Sequence, residues 1–235
     1  MKKFNGARVM KDRLMVALDV NHAKSALDLR DCVGDAVGWF KIGLRLFVAE
    51  GPPLVSAIRE QHRVFLDLKF HDIPNTVAQA VESAGNLGVD MVNVHAGGGE
   101  QMLAAAAKAA ASFPAMKLIA VTVLTSDPMP KEQARSVALQ RATMARDAGL
   151  KGVVCSVFEA AAIKQACGSD FLTVTPGIRW GDQDVQDQKR VADPAAAIAN
   201  GSDYLVVGRP ILHAAKPRRA AMEALAMMES AQIRA

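Results

Sequence analysis

Apolar residues in this chain fall into short blocks, each followed by a stretch in which they recur every three or four positions. The blocks are Leu14-Met15-Val16-Ala17-Leu18, Trp39-Phe40-Lys41-Ile42-Gly43, Val64-Phe65-Leu66 continuing through Leu68 and Phe70, Met91-Val92-Asn93-Val94, residues 117–124, Gly152-Val153-Val154-Cys155, residues 171–174, and Tyr204-Leu205-Val206-Val207. Their length and their β-branched and aliphatic content predict strands. Residues 22–33, 52–61, 74–87, 131–148 and 194–200 carry helical spacing. So do an alanine-rich stretch ending near residue 112, a stretch after Cys155, and the C-terminal segment. Pro52-Pro53 and Pro74 mark helix starts, and Gly88 marks a stop. Residues 180–190 are polar and without period, and read as a mobile loop. Strand and helix thus alternate eight times. The strands lack polar alternation, which implies a parallel sheet covered by helices. The expected fold is α/β, a single (β/α)8 TIM barrel domain over residues 1–235. A doubly wound open sheet is the alternative. It is weaker, because Gly97-Gly98-Gly99 follows the fourth strand and lacks the G-x-G-x-x-G spacing.

The third strand organises the rest. Side chains two apart share a face of a strand, so Asp67 and Lys69 point one way while Leu66, Leu68 and Phe70 point the other. Charges on a buried strand are costly unless paired. A structural ion pair would satisfy that condition, with Asp72 as a residue near the start of the helix opened by Pro74. Other strand ends make the structural reading hard to sustain. Asp19, Lys41, Thr125 with Ser126, Arg179 and Gly208-Arg209 also close strands, and the C-terminal strand ends of a barrel form its active face. Charges therefore converge from five strands. Lys41, Asp67, Lys69 and Asp72 alternate in sign, which favours the ammonium form of Lys69. Such an ammonium can stabilise a carbanion and then protonate it. After the eighth strand, Gly208 permits close backbone approach and Arg209 offers a fork suited to phosphate.

The net charge of +4 raises the question of nucleic acid, but the densest basic run is Lys216 to Arg219 and no aromatic residues interleave with it. A small anionic substrate accounts better for the balance. Cys32, Cys155 and Cys167 are widely spaced, with no C-x-x-C, which fits a reducing cytoplasm and neither a disulfide framework nor a zinc ribbon. The five histidines show no metal-binding spacing, so no metal is expected, and His71, at the end of the strand, is expected to point off the active face. The apolar block at residues 14–18 is too short for a signal sequence, and no run reaches membrane-spanning length.

Taken together, the motifs resemble the bacterial orotidine 5′-phosphate decarboxylase family over nearly the whole chain. They are Ala17-Leu18-Asp19, Lys41-Ile42-Gly43, Asp67-Leu68-Lys69-Phe70-His71-Asp72-Ile73-Pro74-Asn75-Thr76, Val121-Thr122-Val123-Leu124-Thr125-Ser126, Thr175-Pro176-Gly177-Ile178-Arg179 and Val207-Gly208-Arg209-Pro210. Asp-x-Lys-x-x-Asp alone is shared with relatives such as the ketogulonate-phosphate decarboxylases; the full set is specific. The resemblance implies loss of CO2 from orotidine 5′-phosphate to give UMP, the last step of UMP synthesis, without metal or organic cofactor. It implies that Lys69 donates the proton to C6 beside Asp67, with Lys41 and Asp72 completing the charged group. It assigns the ribose hydroxyls to Asp19, Lys41 and Thr76, and the pyrimidine edge to Thr125 or Ser126. Phosphate falls to Arg179, Gln188, Gly208 and Arg209, under a lid after Pro176. Ile73 and Pro176 come with their motifs as substrate contacts. It also implies a homodimer in which Asp72 and Thr76 reach the neighbouring site. Two rival readings stand beside it: a metal-assisted sugar-phosphate decarboxylase of the same suprafamily, and a non-catalytic nucleotide-binding barrel.

Overall fold

The computed structural model describes residues 10–124, 127–181 and 192–232. Eight parallel strands close into a barrel in sequence order: β1 (Leu14–Ala17), β2 (Trp39–Gly43), β3 (Arg63–Phe70), β4 (Met91–His95), β5 (Lys117–Val121), β6 (Gly152–Val154), β7 (Leu172–Thr175) and β8 (Tyr204–Val207). Closure is made by β8 on β1, with Leu14 paired to Leu205 and Val16 to Val207. The (β/α)8 barrel expected from the alternating pattern is therefore the fold. Helices return each strand to the next: α1 (Ala23–Val33), α2 (Leu44–Arg59), α3 (Pro74–Asn86), α4 (Gly99–Ala110), α5 (Lys131–Asp147), α6 (Val157–Cys167) and α7 (Pro194–Ala199). A one-turn α8 (Arg209–Leu212) and a closing α9 (Pro217–Gln232) follow β8.

The alternation of strand side chains builds two apolar layers. Outward residues such as Val16, Phe40, Leu66, Val92 and Leu205 pack against the helices in one continuous core. Inward residues Met15, Trp39, Phe65, Met91, Ile119, Val174 and Val206 fill the barrel itself. Trp39 lies at the N-terminal end, edge-on to Tyr204 with ring centroids 5.6 Å apart, and its indole N–H donates to the Asp12 carbonyl at 2.9 Å. The barrel is thus stoppered at that end and lined with polar groups at the other.

Two elements differ from the sequence expectation. The helix after β2 begins at Leu44, well before Pro52, and Gly51 interrupts it at φ 63°, ψ −158°. A residue before proline is driven out of the α region, and glycine alone takes this conformation at little cost. The Gly-Pro-Pro sequence is therefore a kink within a helix rather than a helix start. The fifth strand ends at Val121, so Val123 and Leu124 leave the sheet and turn over the barrel mouth. The loop expected at residues 180–190 falls largely outside the described residues.

Gly152 on β6 is required by close approach: a Cβ there would run into the Leu172 carbonyl on β7. Gly152→Ala should therefore cost about 1–3 kcal/mol through overpacking. The expected observation is a melting temperature several degrees lower, with the site intact. An unchanged melting temperature would mean that β6 and β7 part without cost.

Candidate active site

The polar end of the barrel holds a cavity of about 620 Å³, a size suited to a nucleotide-like ligand. Its floor is Ala17, Phe65, Val154 and Val206; its walls include Asp19, Lys41, Asp67, Lys69, Arg179, Gly208 and Arg209. Of the strand-end residues expected from the sequence, Asp19, Lys41, Asp67, Lys69, Arg179, Gly208 and Arg209 thus converge on one chamber.

One wall is a chain of alternating charge. The Lys41 ammonium lies 3.1 Å from Asp19 Oδ1 and 3.4 Å from Asp67 Oδ2. The Lys69 ammonium lies 2.7 Å from Asp67 Oδ1. Burial by itself would push the Lys41 pKa down, but Asp67 and then Asp19 outweigh it and hold it above the ordinary lysine value. Burial would likewise raise Asp67. The charges of Lys41 and Lys69, with hydrogen bonds from Lys69 and Asn93, instead hold it below the usual carboxylate range. Near neutral pH both groups are therefore ionised. A carboxylate between two ammonium groups is well compensated; a second carboxylate brought against it would not be.

The backbone under this wall is irregular. Between Leu66 paired to Val92 and Phe70 paired to Val94, three residues of β3 stand opposite Asn93 alone. Lys69 sits at φ 54°, the sole non-glycine in the left-handed region among the described residues. Such a conformation costs on the order of 1–3 kcal/mol and persists only where the surroundings enforce it. Simple alternation still gives the right faces, since Phe65, Asp67 and Lys69 point inward while Leu66, Leu68 and Phe70 pack outward.

The opposite wall is cationic. Gly177, at φ 79°, turns the chain after Pro176, and the Arg179 guanidinium donates to the Ile178 carbonyl at 2.8 Å. Gly208 lies against Asp19 and leads into the short helix headed by Arg209. Two further residues complete the lining. Arg45 donates to the Asp19 carbonyl at 3.1 Å, and His213 follows the short helix. Arg45 escaped the sequence reading because the helix was expected to start at Pro52. His213 carried no signal beyond its nearness to Arg209. Asn93 was legible only as a polar residue inside an apolar strand.

Asp72, Ile73 and Thr76 lie elsewhere. All three are exposed, Ile73 at 66%, and none lines the cavity of its own chain. Asp72 Oδ1 accepts from the Ile73 N–H at 2.6 Å. Within one chain the alternating group is therefore Asp19–Lys41–Asp67–Lys69, without Asp72. Thr125, Ser126 and Gln188 are outside the described residues. His71 stacks on His95, with ring centroids 5.1 Å apart. Among the described residues, no three His, Cys, Asp or Glu side chains are grouped to hold a metal ion, and no helix is long and apolar enough to cross a membrane.

Comparison with known proteins identifies the family. Residues 12–224 match the model of the orotidine 5′-phosphate decarboxylase / HUMPS family. The orotidine 5′-phosphate decarboxylase of Moorella thermoacetica is 48% identical over 93% of this chain and 93% of its own length. That of Sodalis glossinidius is 50% identical over 87% of this chain and 85% of its own. The crystal structure of orotidine 5′-phosphate decarboxylase from Lactobacillus acidophilus superposes with a TM-score of 0.79 at 34% identity, covering 92% of this chain and 99% of that one. With fold and sequence in agreement over most of its length, this chain belongs to the orotidine 5′-phosphate decarboxylase / HUMPS family.

Proposed function

We propose that the protein converts orotidine 5′-phosphate to UMP and CO2, the last step of UMP synthesis. The observation that carries this reading is the Lys69 ammonium, 2.7 Å from the Asp67 carboxylate, in a chamber whose other wall bears Arg179 and Arg209. In the reaction the bond from C6 to the carboxylate carbon breaks, CO2 leaves, and the electron pair stays on C6. Lys69 faces that developing charge and delivers its proton to C6; the amine regains a proton from solvent. One positive charge and one proton suffice, and Lys69 supplies both, so we read the reaction as needing neither metal nor organic cofactor. Asp19 and Lys41 are suited to the ribose hydroxyls. The Thr125-Ser126 segment, next to the lining residue Leu124, is suited to the pyrimidine edge. Arg179, Gly208 and Arg209 would take the phosphate, with Gln188 assigned there by family resemblance and Pro176 as a further substrate contact.

A two-fold dimer completes this reading. Asp72, Ile73 and Thr76 are exposed and absent from their own chamber, yet they belong to the motif that carries Lys69. We assign Asp72 and Thr76 to the neighbouring subunit's site, with the exposed Ile73 side chain beside them. The three free thiols fit a reducing cytoplasm.

The direct test is loss of the ultraviolet absorbance of orotidine 5′-phosphate on adding purified protein, with and without EDTA. Persistence in EDTA supports the cofactor-free route. Turnover only with magnesium, and none of orotidine 5′-phosphate, would point to a sugar-phosphate decarboxylase. UMP binding without turnover would point to a binding protein.

Arg209→Ala tests the phosphate wall. Loss of a charge-assisted fork to phosphate should lower kcat/KM by about a hundredfold to ten-thousandfold. Part of the loss should appear in kcat, since binding energy remote from the reacting carbon is used at the transition state. Orotidine, which lacks the phosphate, should be turned over equally poorly by variant and wild type. Equal damage with both substrates would make Arg209 a structural residue.

A further inference from the structure

Lys69 and Asp67 share a partner that the reaction scheme above does not use. Asn93 is fully buried on β4, and its amide makes two bonds toward β3. Its Oδ1 accepts from the Lys69 backbone N–H at 2.8 Å. Its Nδ2 donates to Asp67 Oδ1 at 2.7 Å, the oxygen that also receives the Lys69 ammonium. The orientation of the amide is fixed, because a backbone N–H can only donate and a carboxylate can only accept. We propose that Asn93 is a positioning residue that locks the backbone of Lys69 and the carboxylate of Asp67 into the single arrangement that aims the Lys69 ammonium into the chamber. The inference rests on the reaction proposed above.

The physical case begins with the bulge. Three residues of β3 face Asn93 alone, so the ladder cannot supply an ordinary backbone acceptor for every N–H in that stretch. A side-chain oxygen supplies the one for Lys69. It does so where Lys69 stands at φ 54°, a conformation lysine does not hold without constraint. Were Lys69 to relax to an ordinary strand conformation, its side chain would leave on a different vector. The second bond of Asn93 fixes the carboxylate that anchors the far end of the same side chain. One amide therefore holds Lys69 by its root and, through Asp67, by its tip.

Asn93→Ala removes both bonds. A displacement of about 1 Å of a reacting group can cost about a hundredfold in rate, so kcat for orotidine 5′-phosphate should fall by about that factor. KM should stay within about threefold, because the phosphate wall is untouched. A purely structural role would lower the melting temperature without lowering kcat per folded molecule. Asn93→Asp gives a second, independent reading. A protonated Asp side chain at this position keeps both bonds. An ionised one faces the Asp67 carboxylate and donates nothing. The ratio of variant to wild-type kcat should therefore approach one at the acid end of the pH profile and fall as pH rises. A ratio that does not vary with pH, or an alanine variant with kcat within about threefold of wild type, overturns the inference. If Asn93→Ala does not fold, the pH profile of Asn93→Asp decides alone. If the wild type consumes no orotidine 5′-phosphate, the proposed function fails separately. The positioning claim is then decided by a crystal structure of Asn93→Ala. Departure of Lys69 from the left-handed region supports the claim. Lys69 unchanged, with its ammonium still on Asp67, overturns it.

Discussion

Lys69→Ala is expected to lower the rate of orotidine 5′-phosphate decarboxylation by about 10⁴ to 10⁷-fold while leaving UMP binding nearly intact. The size follows from two losses at one atom. Proton delivery by a positioned acid contributes roughly 10² to 10⁴, and fixed opposite charge at the reacting centre contributes roughly 10² to 10³. The product of these ranges gives the estimate. The fold should survive. Alanine at this position faces the same left-handed backbone as lysine, and Asp67 keeps Lys41 at 3.4 Å and the Asn93 amide at 2.7 Å. Phosphate recognition on the far wall is untouched, so titration with UMP should give an affinity close to that of wild type. Steady-state rates followed by absorbance would check the first expectation, and calorimetry the second. A variant retaining turnover within about a hundredfold of wild type would remove Lys69 from the chemistry, since general acid catalysis alone is worth that much.

Mixing two inactive variants should restore activity. Lys69→Ala disables the chamber of its own chain. Asp72→Ala, on the dimer proposed above, disables the chamber of the neighbour. In a mixed dimer one chamber carries both lesions and the other carries neither. Random reassembly makes about half the dimers mixed, each with one good site of two, so about a quarter of wild-type activity should return. Asp72 acting within its own chain would leave every chamber damaged, and nothing would return. The exposure of Asp72 and its absence from its own cavity favour the first outcome. Sedimentation of both variants, to establish that they dimerise, belongs before the mixing.

Much of this molecule was legible in its sequence, for identifiable physical reasons. Buried parallel strands are short and apolar throughout, so a charged residue at a strand end stands out; Asp19, Lys41, Asp67, Lys69, Arg179 and Arg209 were found that way, and all line one cavity. Local signals failed where the structure depends on two segments at once. The Gly51-Pro52-Pro53 sequence has the signature of a helix start, and only the preceding turn from Leu44 reveals a kink. That misreading hid Arg45. Asn93 is one polar residue in a strand. Its importance comes from a register shift between β3 and β4, which no pattern within either strand encodes. The absence of Asp72 from its own chamber is likewise a matter of direction after a turn, where alternation no longer applies.

The stoppered barrel has a consequence for traffic. Beneath the chamber, Met15, Trp39, Met91, Ile119 and Val174 are essentially closed to solvent, so among the described residues the cavity has no rear exit through the barrel axis. In the proposed reaction, CO2 is formed at the charged wall, inside the chamber that also holds the nucleotide. It must leave past UMP or wait for UMP to leave. Carbon dioxide is small and uncharged, and neither arginine wall nor lysine holds it, so outward escape ahead of the nucleotide is the easier order. UMP would then be the last species to clear the mouth, and it should inhibit competitively against substrate, because the two share one doorway.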